Sequence, residues 1–405
     1  MNSALVPAQH EHQLWKDHAP SKDYFGSLDT LRFLAFLLVF ANHVTDFLRF
    51  PSSVTIMGTP AFTYLQMGDL GVAFFFVLSG FLITYLLEKE RVKTGTVSLK
   101  NFYIRRVLRI WPLYFLVLGI IVVISSSVHG FSIYQTSVNW KEISYHLFFV
   151  GNIFRAFQGT FNDMIAIFWS IAVEEQFYLV WPALFILFRK HIGWVLAIGV
   201  AISMAVRYHY ANNFPAREFF TPSVMVYLMV GAFIGIHGPR LKHWLSQKKR
   251  ALVVGLSAFA GVVILLSIRG MFVPAYPQWF IAIDGPIFAV FFAFIILSAV
   301  YGGFGKHEPH EHPNIWKRFK TFIGEATEYL GRVSYGLYVY HLVALTIVLY
   351  TAQKLFGFTD QNIGAGTFAV IATCALALVI GISALSYKFW EGPFLRLKDR
   401  FIPRS

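Results

Sequence analysis

The stretch LRFLAFLLVFANHV, residues 31–44, decides how this chain folds. It is almost wholly apolar, yet it contains two ionisable residues, Arg32 and His43, eleven positions apart. At about 100° per residue, this spacing returns both side chains to nearly the same helical face, about 16 Å apart along the axis. A charged residue inside a membrane helix costs about 3 kcal/mol or more, so it rarely faces lipid. The stretch therefore predicts a membrane helix with a polar face that lines a bundle interior.

The composition of the whole chain is typical of a polytopic membrane protein. Its 405 residues are 56% hydrophobic and only 14% charged, whereas soluble domains carry about 25% charged residues. The formal net charge of +13 would suit a nucleic-acid partner. The basic residues fall at alternate helix ends, however, as the positive-inside rule describes. We therefore expect a lipid bilayer, and not nucleic acid, as the partner of this charge.

The hydropathy pattern predicts an all-α bundle of about ten transmembrane helices. Lys and Arg collect at the ends that an N-in, C-in orientation places in the cytoplasm, which favours that orientation. The predicted domains are a cytoplasmic N-terminal tail over 1–28, a transmembrane domain over 29–388 and a cytoplasmic C-terminal tail over 389–405. The predicted spans are residues 29–47, 69–88, 106–126, 167–188, 192–209, 221–237, 251–268, 281–301, 332–350 and 367–388.

One apolar segment, 143–157, is too short for a membrane span, which requires about 20 residues. It also contains Asn152 and Arg155, whose polar groups are costly in contact with lipid. We expect an interfacial or re-entrant piece here.

His43 is the first candidate for catalysis. A neutral imidazole can take a proton from a hydroxyl near pH 7 as that hydroxyl attacks an electrophile. Asp46, three residues on, would orient or charge the ring. Glu174 or Glu175, adjacent carboxylates in the apolar stretch FWSIAVEEQFYLVWP, would do the same from another span. The alternative interpretation is that these residues form structural hydrogen bonds inside a polar bundle.

A cluster of arginines, in IRRVLRIWPLY (104–114), begins a predicted span at its cytoplasmic end. Arg106 and Arg109 share a helical face, and Arg105 flanks them. Guanidinium groups suit bidentate phosphate contacts, and the amides of a helix N-terminus add to the attraction. The cluster predicts an anchor for a phosphorylated cofactor, with ordinary positive-inside charge at the lipid headgroups as the alternative.

Two further segments carry polar residues inside apolar sequence. VLSGFL contributes Ser79, and SYGLYVYH contributes Tyr335, Tyr338 and His341. Tyr338 and His341 share a helical face. These side chains either line a polar path or serve helix–helix packing.

The segment KHEPHEHPN (306–314) holds three histidines. Its two prolines make the backbone irregular, and no further ligand accompanies it. A solvated cytoplasmic loop explains the segment better, so we predict no bound metal.

Together these segments resemble the integral-membrane acyltransferase-3 family, from about residue 24 to the end of the chain. Six motifs stand in the family's order, namely LDTLRFLAFLLVFANH, VLSGFL, RRVLRIWPLY, FWSIAVEEQFYLVWP, SYGLYVYH and YKFWEGPF. There is one departure, because Ala73 stands where the family often has an acidic residue. Asp69 lies four residues earlier on the same helical face and is the nearest candidate to replace it.

The resemblance implies a multi-pass enzyme of the plasma (inner) membrane that transfers an acyl group from acyl-CoA to a hydroxyl. Acetyl is the commonest acyl group in the family, so acetyl-CoA is the expected co-substrate. Family members modify cell-envelope glycans, lipid-linked sugars and some small molecules. A carbohydrate, glycolipid or other hydroxyl acceptor outside the cytoplasm is therefore implied.

On this hypothesis, acyl-CoA binds from the cytoplasm and the reaction occurs near the outer face. Arg105, Arg106 and Arg109 hold the phosphates, while Ser79, Tyr335 and His341 line the path of the pantetheine arm. The residues expected to act in the reaction are His43 as base and Glu174 or Glu175 beside it. Arg32 would either bind polar groups of the cofactor or stabilise the thioester oxygen as it gains charge. Direct transfer and an acyl-enzyme intermediate both stay open, as does the oligomeric state.

The alternative class is a transporter or flippase of a cell-envelope precursor, without acyl-transfer chemistry. Polar residues inside spans also mark substrate pathways in transporters. Such a protein has no need of a phosphate anchor at one end of the path and a base at the other. Binding of CoA therefore separates the two classes.

Overall fold

Helices make up almost all of the computed structural model, which describes residues 26–48, 55–56, 59–60, 67–127, 139–159, 162–247, 257, 261, 277–301, 315–357 and 364–401. The elements before residue 190 are α1 (Gly26–Leu48), β1 (Thr55–Ile56), β2 (Thr59–Pro60), α2 (Gly68–Thr94), α3 (Leu99–Ser127), α4 (Trp140–Leu147), α5 (Gly151–Phe157) and α6 (Phe168–Leu187). The later helices are α7 (Ile192–His209), α8 (Phe214–Phe219), α9 (Thr221–Gln247), α10 (Gln278–Tyr301), α11 (Ile315–Arg332), α12 (Ser334–Phe356), α13 (Ala365–Ser386) and α14 (Gly392–Lys398). Strands β1 and β2 form a two-stranded antiparallel hairpin.

The predicted membrane bundle is confirmed. Within the described ranges, nine segments are helical, long and apolar enough to cross a membrane. They coincide with nine of the ten predicted spans, and the tenth, 251–268, lies outside the described residues except for Ser257 and Gly261. The segment 143–157 forms the short helices α4 and α5, in agreement with the prediction that it is not a span. The orientation of the termini stays a prediction.

Helices α2 and α12 form the centre of the bundle. The most apolar window of each is 72% buried, the highest value among the spanning helices of the described chain. Helix α2 packs against α1, α6, α9 and α10, while α12 packs against α1, α3 and α13. Both central helices carry motifs from the sequence analysis, so the polar residues of those motifs lie at the middle of the protein.

The contact between α2 and α9 depends on two glycines. A Cβ atom on Gly80 would overlap the carbonyl oxygen of Leu228, and one on Gly231 would overlap the carbonyl oxygen of Val77. Small residues let the backbones of membrane helices approach each other closely. Close packing of α2 and α9 thus explains Gly80, the glycine of VLSGFL.

We expect Gly231→Ala to destabilise the protein by about 1–3 kcal/mol, because the added methyl group overlaps backbone atoms that cannot move aside. Gly381→Ala is the matched control, since a Cβ at Gly381 meets open space. Thermal unfolding of the detergent-solubilised proteins measures the effect. Equal midpoints for the two variants would contradict this account of the packing.

The C-terminal segment is helical and packs against the bundle. After α13 the chain makes a π-helical turn over Tyr387–Glu391 and then forms α14, which packs against α3. The indole Nε1 of Trp390 donates to the carbonyl oxygen of Pro112, 3.1 Å away. Residues after 388 therefore pack against α3, and the predicted division into domains stays a prediction.

Candidate active site

A cavity of about 140 Å³ lies between α1, α2, α3, α6 and α12. Six of the ten candidate site residues line it, although they come from five different helices. They are Arg32, Ser79, Arg106, Arg109, Glu174 and Tyr335. The structure thus brings together residues that are distant in the sequence, as expected if polar groups in membrane spans turn toward a common interior.

The two adjacent glutamates have different surroundings. Glu174 faces the cavity and accepts hydrogen bonds from Ser79 Oγ at 2.6 Å and from the Tyr178 hydroxyl at 3.0 Å. Glu175 accepts a hydrogen bond from Trp111 Nε1 at 3.0 Å. These donors offset part of the cost of burying the carboxylates. Neither glutamate provides the hydrogen bond to His43 that we considered from the sequence.

Arg32 faces the cavity and forms an ion pair with Asp29, one helical turn earlier on α1. Asp29 is only 4% exposed. Sequence analysis did not single out Asp29, although its spacing of three residues from Arg32 is the signal that would have found it. The charge of Arg32 is therefore already balanced by a carboxylate within its own helix.

The three arginines of α3 divide into two groups. Arg106 and Arg109 line the cavity. Arg105 does not, because it donates at 2.8 Å both to Glu90 Oε2 and to the carbonyl oxygen of Phe401. Arg105 thus fastens α3 to α2 and to the C-terminal segment, and its predicted role toward a phosphate stays a prediction.

Arg106 has the features of an anion-binding residue. Its guanidinium carbon lies 5.6 Å from the ring centre of Phe102 and 5.9 Å from that of Tyr178. Its buried Nε has no hydrogen-bond partner within the described part of the chain. A buried donor without a partner is costly, so this atom is well suited to an anionic ligand that enters the cavity.

His43 pairs with His341, which the sequence analysis assigned to the lining of the path. His341 Nε2 lies 3.1 Å from His43 Nδ1. Each Nδ1 also contacts a backbone carbonyl oxygen, that of Val39 at 2.9 Å from His43 and that of Tyr338 at 2.6 Å from His341. Because a carbonyl oxygen only accepts hydrogen bonds, we place a proton on each Nδ1.

This proton assignment determines what the histidine pair can do. The lone pair on His341 Nε2 accepts the proton of His43 Nδ1, which leaves a free lone pair on His43 Nε2. His341 is fully buried, whereas His43 is half-buried. The half-buried ring of the pair is therefore the one equipped to accept a proton, and the fully buried ring of His341 holds it in place.

Tyr338 separates the cavity from the histidine pair. Its ring lines the cavity and lies 5.7 Å from the ring of His341, centre to centre. Its hydroxyl lies 2.6 Å from Ser170 Oγ, a residue that sequence analysis did not single out. The end of the cavity at Tyr338 is thus one side chain away from His43 and His341.

Two carboxylates lie at the same end of α1 as His43. Asp46 accepts a hydrogen bond from Asn42 Nδ2 at 2.7 Å, and Asn42 Oδ1 accepts one from the Gly68 amide at 3.2 Å. Asp69 follows Gly68 and is exposed, whereas Ala73 is only 4% exposed and belongs to the core. Asp69 therefore lies at the start of α2 and not in the environment of Ala73.

The described ranges contain no group of three or more His, Cys, Asp or Glu side chains that could hold a metal ion. The histidine segment 306–314 lies outside those ranges. The prediction of no metal at that segment stays a prediction.

The fold and the cavity define a class of protein, an integral-membrane bundle with a cationic interior site next to a histidine pair. Comparison with known proteins agrees with this class. The family model of the acyltransferase domain, acyltransferase-3, matches residues 25–387, and the chain belongs to this family. No solved structure matches the chain.

Two proteins that are similar to this chain carry the name O-acetyltransferase. The chain is 27% identical to the peptidoglycan O-acetyltransferase OatA of Listeria monocytogenes, over 92% of this chain and 56% of that protein. It is 28% identical to the O-acetyltransferase OatA of Staphylococcus aureus, over 81% of this chain and 52% of that protein. The chain thus spans little more than half the length of these relatives.

Proposed function

We propose that this protein is a membrane O-acetyltransferase that moves an acetyl group from acetyl-CoA to a hydroxyl of a cell-envelope carbohydrate or glycolipid. One observation carries the proposal. A cavity lined by Arg106 and Arg109 lies next to the pair His43–His341, and the side chain of Tyr338 stands between the cavity and the pair. Family membership and the names of the relatives support it.

The arginine end of the cavity suits the phosphates of CoA. The Nε of Arg106 is a buried donor that has no partner among the described residues, and Arg109 adds a second guanidinium to the same cavity. Arginine binds phosphate through paired N–H groups, with an affinity that a desolvated site increases. Ser79 and Tyr335 also line this cavity, in which the acyl-pantetheine arm would lie.

The histidine end suits proton transfer. His43 Nε2 takes the proton of the acceptor hydroxyl while the hydroxyl oxygen attacks the thioester carbonyl carbon. The new C–O bond forms and the C–S bond then breaks. The leaving thiolate takes the proton back from His43, which gives CoA and the acetyl ester. His341 holds the ring of His43 in the orientation that keeps Nε2 available.

The acceptor side is assigned to the end of the bundle that carries His43. The exposed carboxylates of Asp46 and Asp69 lie there and are suitable acceptors for sugar hydroxyls. The name of the Listeria relative makes peptidoglycan the first acceptor to test.

Acetyl transfer is tested in inverted membrane vesicles that contain the protein and are supplied with acetyl-labelled acetyl-CoA. We expect base-labile label in the glycan or glycolipid fraction, because O-acetyl esters are cleaved by mild base. Vesicles without the protein are the control. Label trapped on the protein before acceptor is added would indicate an acyl-enzyme intermediate. If the purified protein binds no CoA and the vesicles gain no label, the proposal fails and a transporter becomes the better interpretation.

A further inference from the structure

The cavity has two ends, and the register of the helices shows which residues lie at each. Helix α2 begins beside His43, because the Gly68 amide donates to Asn42 Oδ1 at 3.2 Å. The cavity lining on α2 runs from Val72 to Ile83, a length of about 16 Å along a helix. Val72 therefore marks the end of the cavity that is nearer to His43, which we call the histidine end.

Ser170, on α6, lies at the histidine end. Helix α6 runs beside α2 in the same direction, because the ring of Trp169 packs on that of Phe76 and, further along both helices, the Tyr178 hydroxyl donates to Ser79 Oγ at 3.1 Å. Ser170 follows Trp169 in the chain and lines the cavity. Its hydroxyl is therefore close to where the cavity ends.

Tyr338, on α12, is the second polar residue at the histidine end. Its ring lines the cavity and lies 5.7 Å from the ring of His341, centre to centre. Tyr335, one turn earlier on α12, donates instead to the Ile110 carbonyl oxygen of α3 at 2.9 Å. Any group that fills the cavity up to the histidine pair therefore contacts the side chain of Tyr338.

The arginines lie further from the histidine pair. The guanidinium carbon of Arg106 is 5.9 Å from the ring centre of Tyr178, which lies about 12 Å beyond Ser170 along α6. Arg32 precedes His43 by eleven positions on α1, about 16 Å along the axis. A carbonyl group that is attacked beside His43 therefore needs a donor other than these arginines.

The hydroxyls of Ser170 and Tyr338 form a pair in which one proton is weakly held. The two oxygens lie 2.6 Å apart. Each also lies near the Ile167 carbonyl oxygen, at 3.2 Å from Ser170 Oγ and 3.3 Å from the Tyr338 hydroxyl. One hydroxyl proton occupies the short contact, and the other is left with the carbonyl at a distance longer than usual for an O–H donor. A negative oxygen in the cavity is a better acceptor for that second proton.

Tyr338 is the better donor of the two. When Ser170 donates to the Tyr338 oxygen, the phenol proton is left for Ile167 or for a ligand. A phenol is a stronger acid than an aliphatic alcohol, so it forms the stronger hydrogen bond to an anion. The hydrogen bond from Ser170 strengthens the donor further, because hydrogen bonds in a chain polarise one another.

We propose that the Tyr338 hydroxyl donates a hydrogen bond to the thioester carbonyl oxygen as it becomes an oxyanion during acetyl transfer, an inference that rests on the proposed function. When the acceptor oxygen bonds to the carbonyl carbon, the C=O electron pair moves to the carbonyl oxygen, and His43 Nε2 takes the hydroxyl proton. The double bond then reforms, the C–S bond breaks, and the thiolate recovers the proton from His43. Tyr338 keeps its own proton throughout and lowers the barrier by stabilising the oxyanion.

Tyr338→Phe tests the inference, because it removes the hydroxyl and keeps the ring that borders the cavity. The first readout is transfer from acetyl-labelled acetyl-CoA to the acceptors present in inverted vesicles. We expect the maximal rate to fall by about 10²–10³-fold, the usual loss when one oxyanion donor is removed. The affinity of the purified variant for CoA should be unchanged, which also shows that the variant folds.

Tyr340→Phe is the matched control. Tyr340 is also a buried tyrosine of α12 and donates to a serine, Ser386, at 3.2 Å, but it does not line the cavity. We expect the wild-type rate in this variant. An equal loss in both variants would overturn the inference, since removal of any buried hydroxyl of α12 would then be sufficient.

Ser170→Ala separates the two hydroxyls of the pair. It removes the supporting hydrogen bond and leaves the Tyr338 hydroxyl able to reach the oxyanion. We expect a loss of about tenfold at most, the usual effect of one neutral hydrogen bond. A larger loss in Ser170→Ala than in Tyr338→Phe would overturn the inference and make Ser170 the donor.

The last readout is hydrolysis of acetyl-CoA by the purified protein, in which water replaces the acceptor. The same oxyanion forms, so Tyr338→Phe should slow hydrolysis as well. Loss of transfer with unchanged or faster hydrolysis would overturn the inference and make Tyr338 a barrier between the cavity and the acceptor. Wild-type transfer in Tyr338→Phe would also overturn it while the proposed function stands. Vesicles in which the wild-type protein transfers no acetyl would overturn both.

Discussion

Replacing His43 with glutamine is expected to abolish acetyl transfer, with a fall in rate of about 10²–10⁴-fold, the range that a general base contributes. The reason is the free lone pair on His43 Nε2, which the contacts of both Nδ1 atoms leave available for a proton. Glutamine can form hydrogen bonds in this position but does not accept a proton near pH 7. Transfer of label from acetyl-CoA in inverted vesicles measures the loss.

Two controls separate a catalytic loss from a folding defect. The affinity of the His43→Gln protein for CoA should equal that of the wild type, because His43 does not line the cavity. His209→Gln changes an exposed histidine at the end of α7 and should leave transfer unchanged. Full activity of the His43→Gln protein would remove His43 from the mechanism.

The double variant Arg106→Gln, Arg109→Gln is expected to bind CoA at least about 100-fold more weakly than the wild type. Hydrogen bonds to charged groups contribute about 1.5–3 kcal/mol each, and every 1.4 kcal/mol is about a tenfold change in affinity. Both guanidinium groups line the cavity. Titration calorimetry with CoA and the detergent-solubilised protein gives the dissociation constants.

Arg189→Gln is the matched control for the arginine pair. Arg189 also lies over an aromatic ring, 5.6 Å from the ring centre of Phe185, but it donates to Glu88 at 2.9 Å and does not line the cavity. Its loss should leave the affinity for CoA unchanged. If the double variant binds CoA as tightly as the wild type, the phosphates are held elsewhere.

Much of the candidate site could be predicted from local sequence because polar residues are expensive inside membrane helices. Arg32, Ser79 and Glu174 stand out against apolar neighbours, and all three line the cavity. Asp29 and Ser170 were missed. Asp29 lies at the start of its helix, where a charge is common, and a serine costs too little in a span to attract attention.

The partner of His43 could not be predicted, since it depends on how distant helices pack. His341 is 298 positions away in the chain, and nothing in either motif favours it over Glu174 or Glu175.

The different roles of Arg105 and Arg106 have a similar cause. Neighbouring residues on a helix point about 100° apart, so the rotation of α3 decides that Arg106 faces the cavity while Arg105 contacts Glu90.

The sequence by itself determined the helical membrane bundle, nine of whose spans the described residues contain, and the short segment 143–157 that does not cross. These features follow from hydropathy and length, which each segment carries independently of its neighbours. Only the tertiary structure decided that His341 pairs with His43 and that Arg105 serves packing. Each of these depends on the rotation and crossing of helices, which side-chain packing across the whole bundle sets and no single segment encodes.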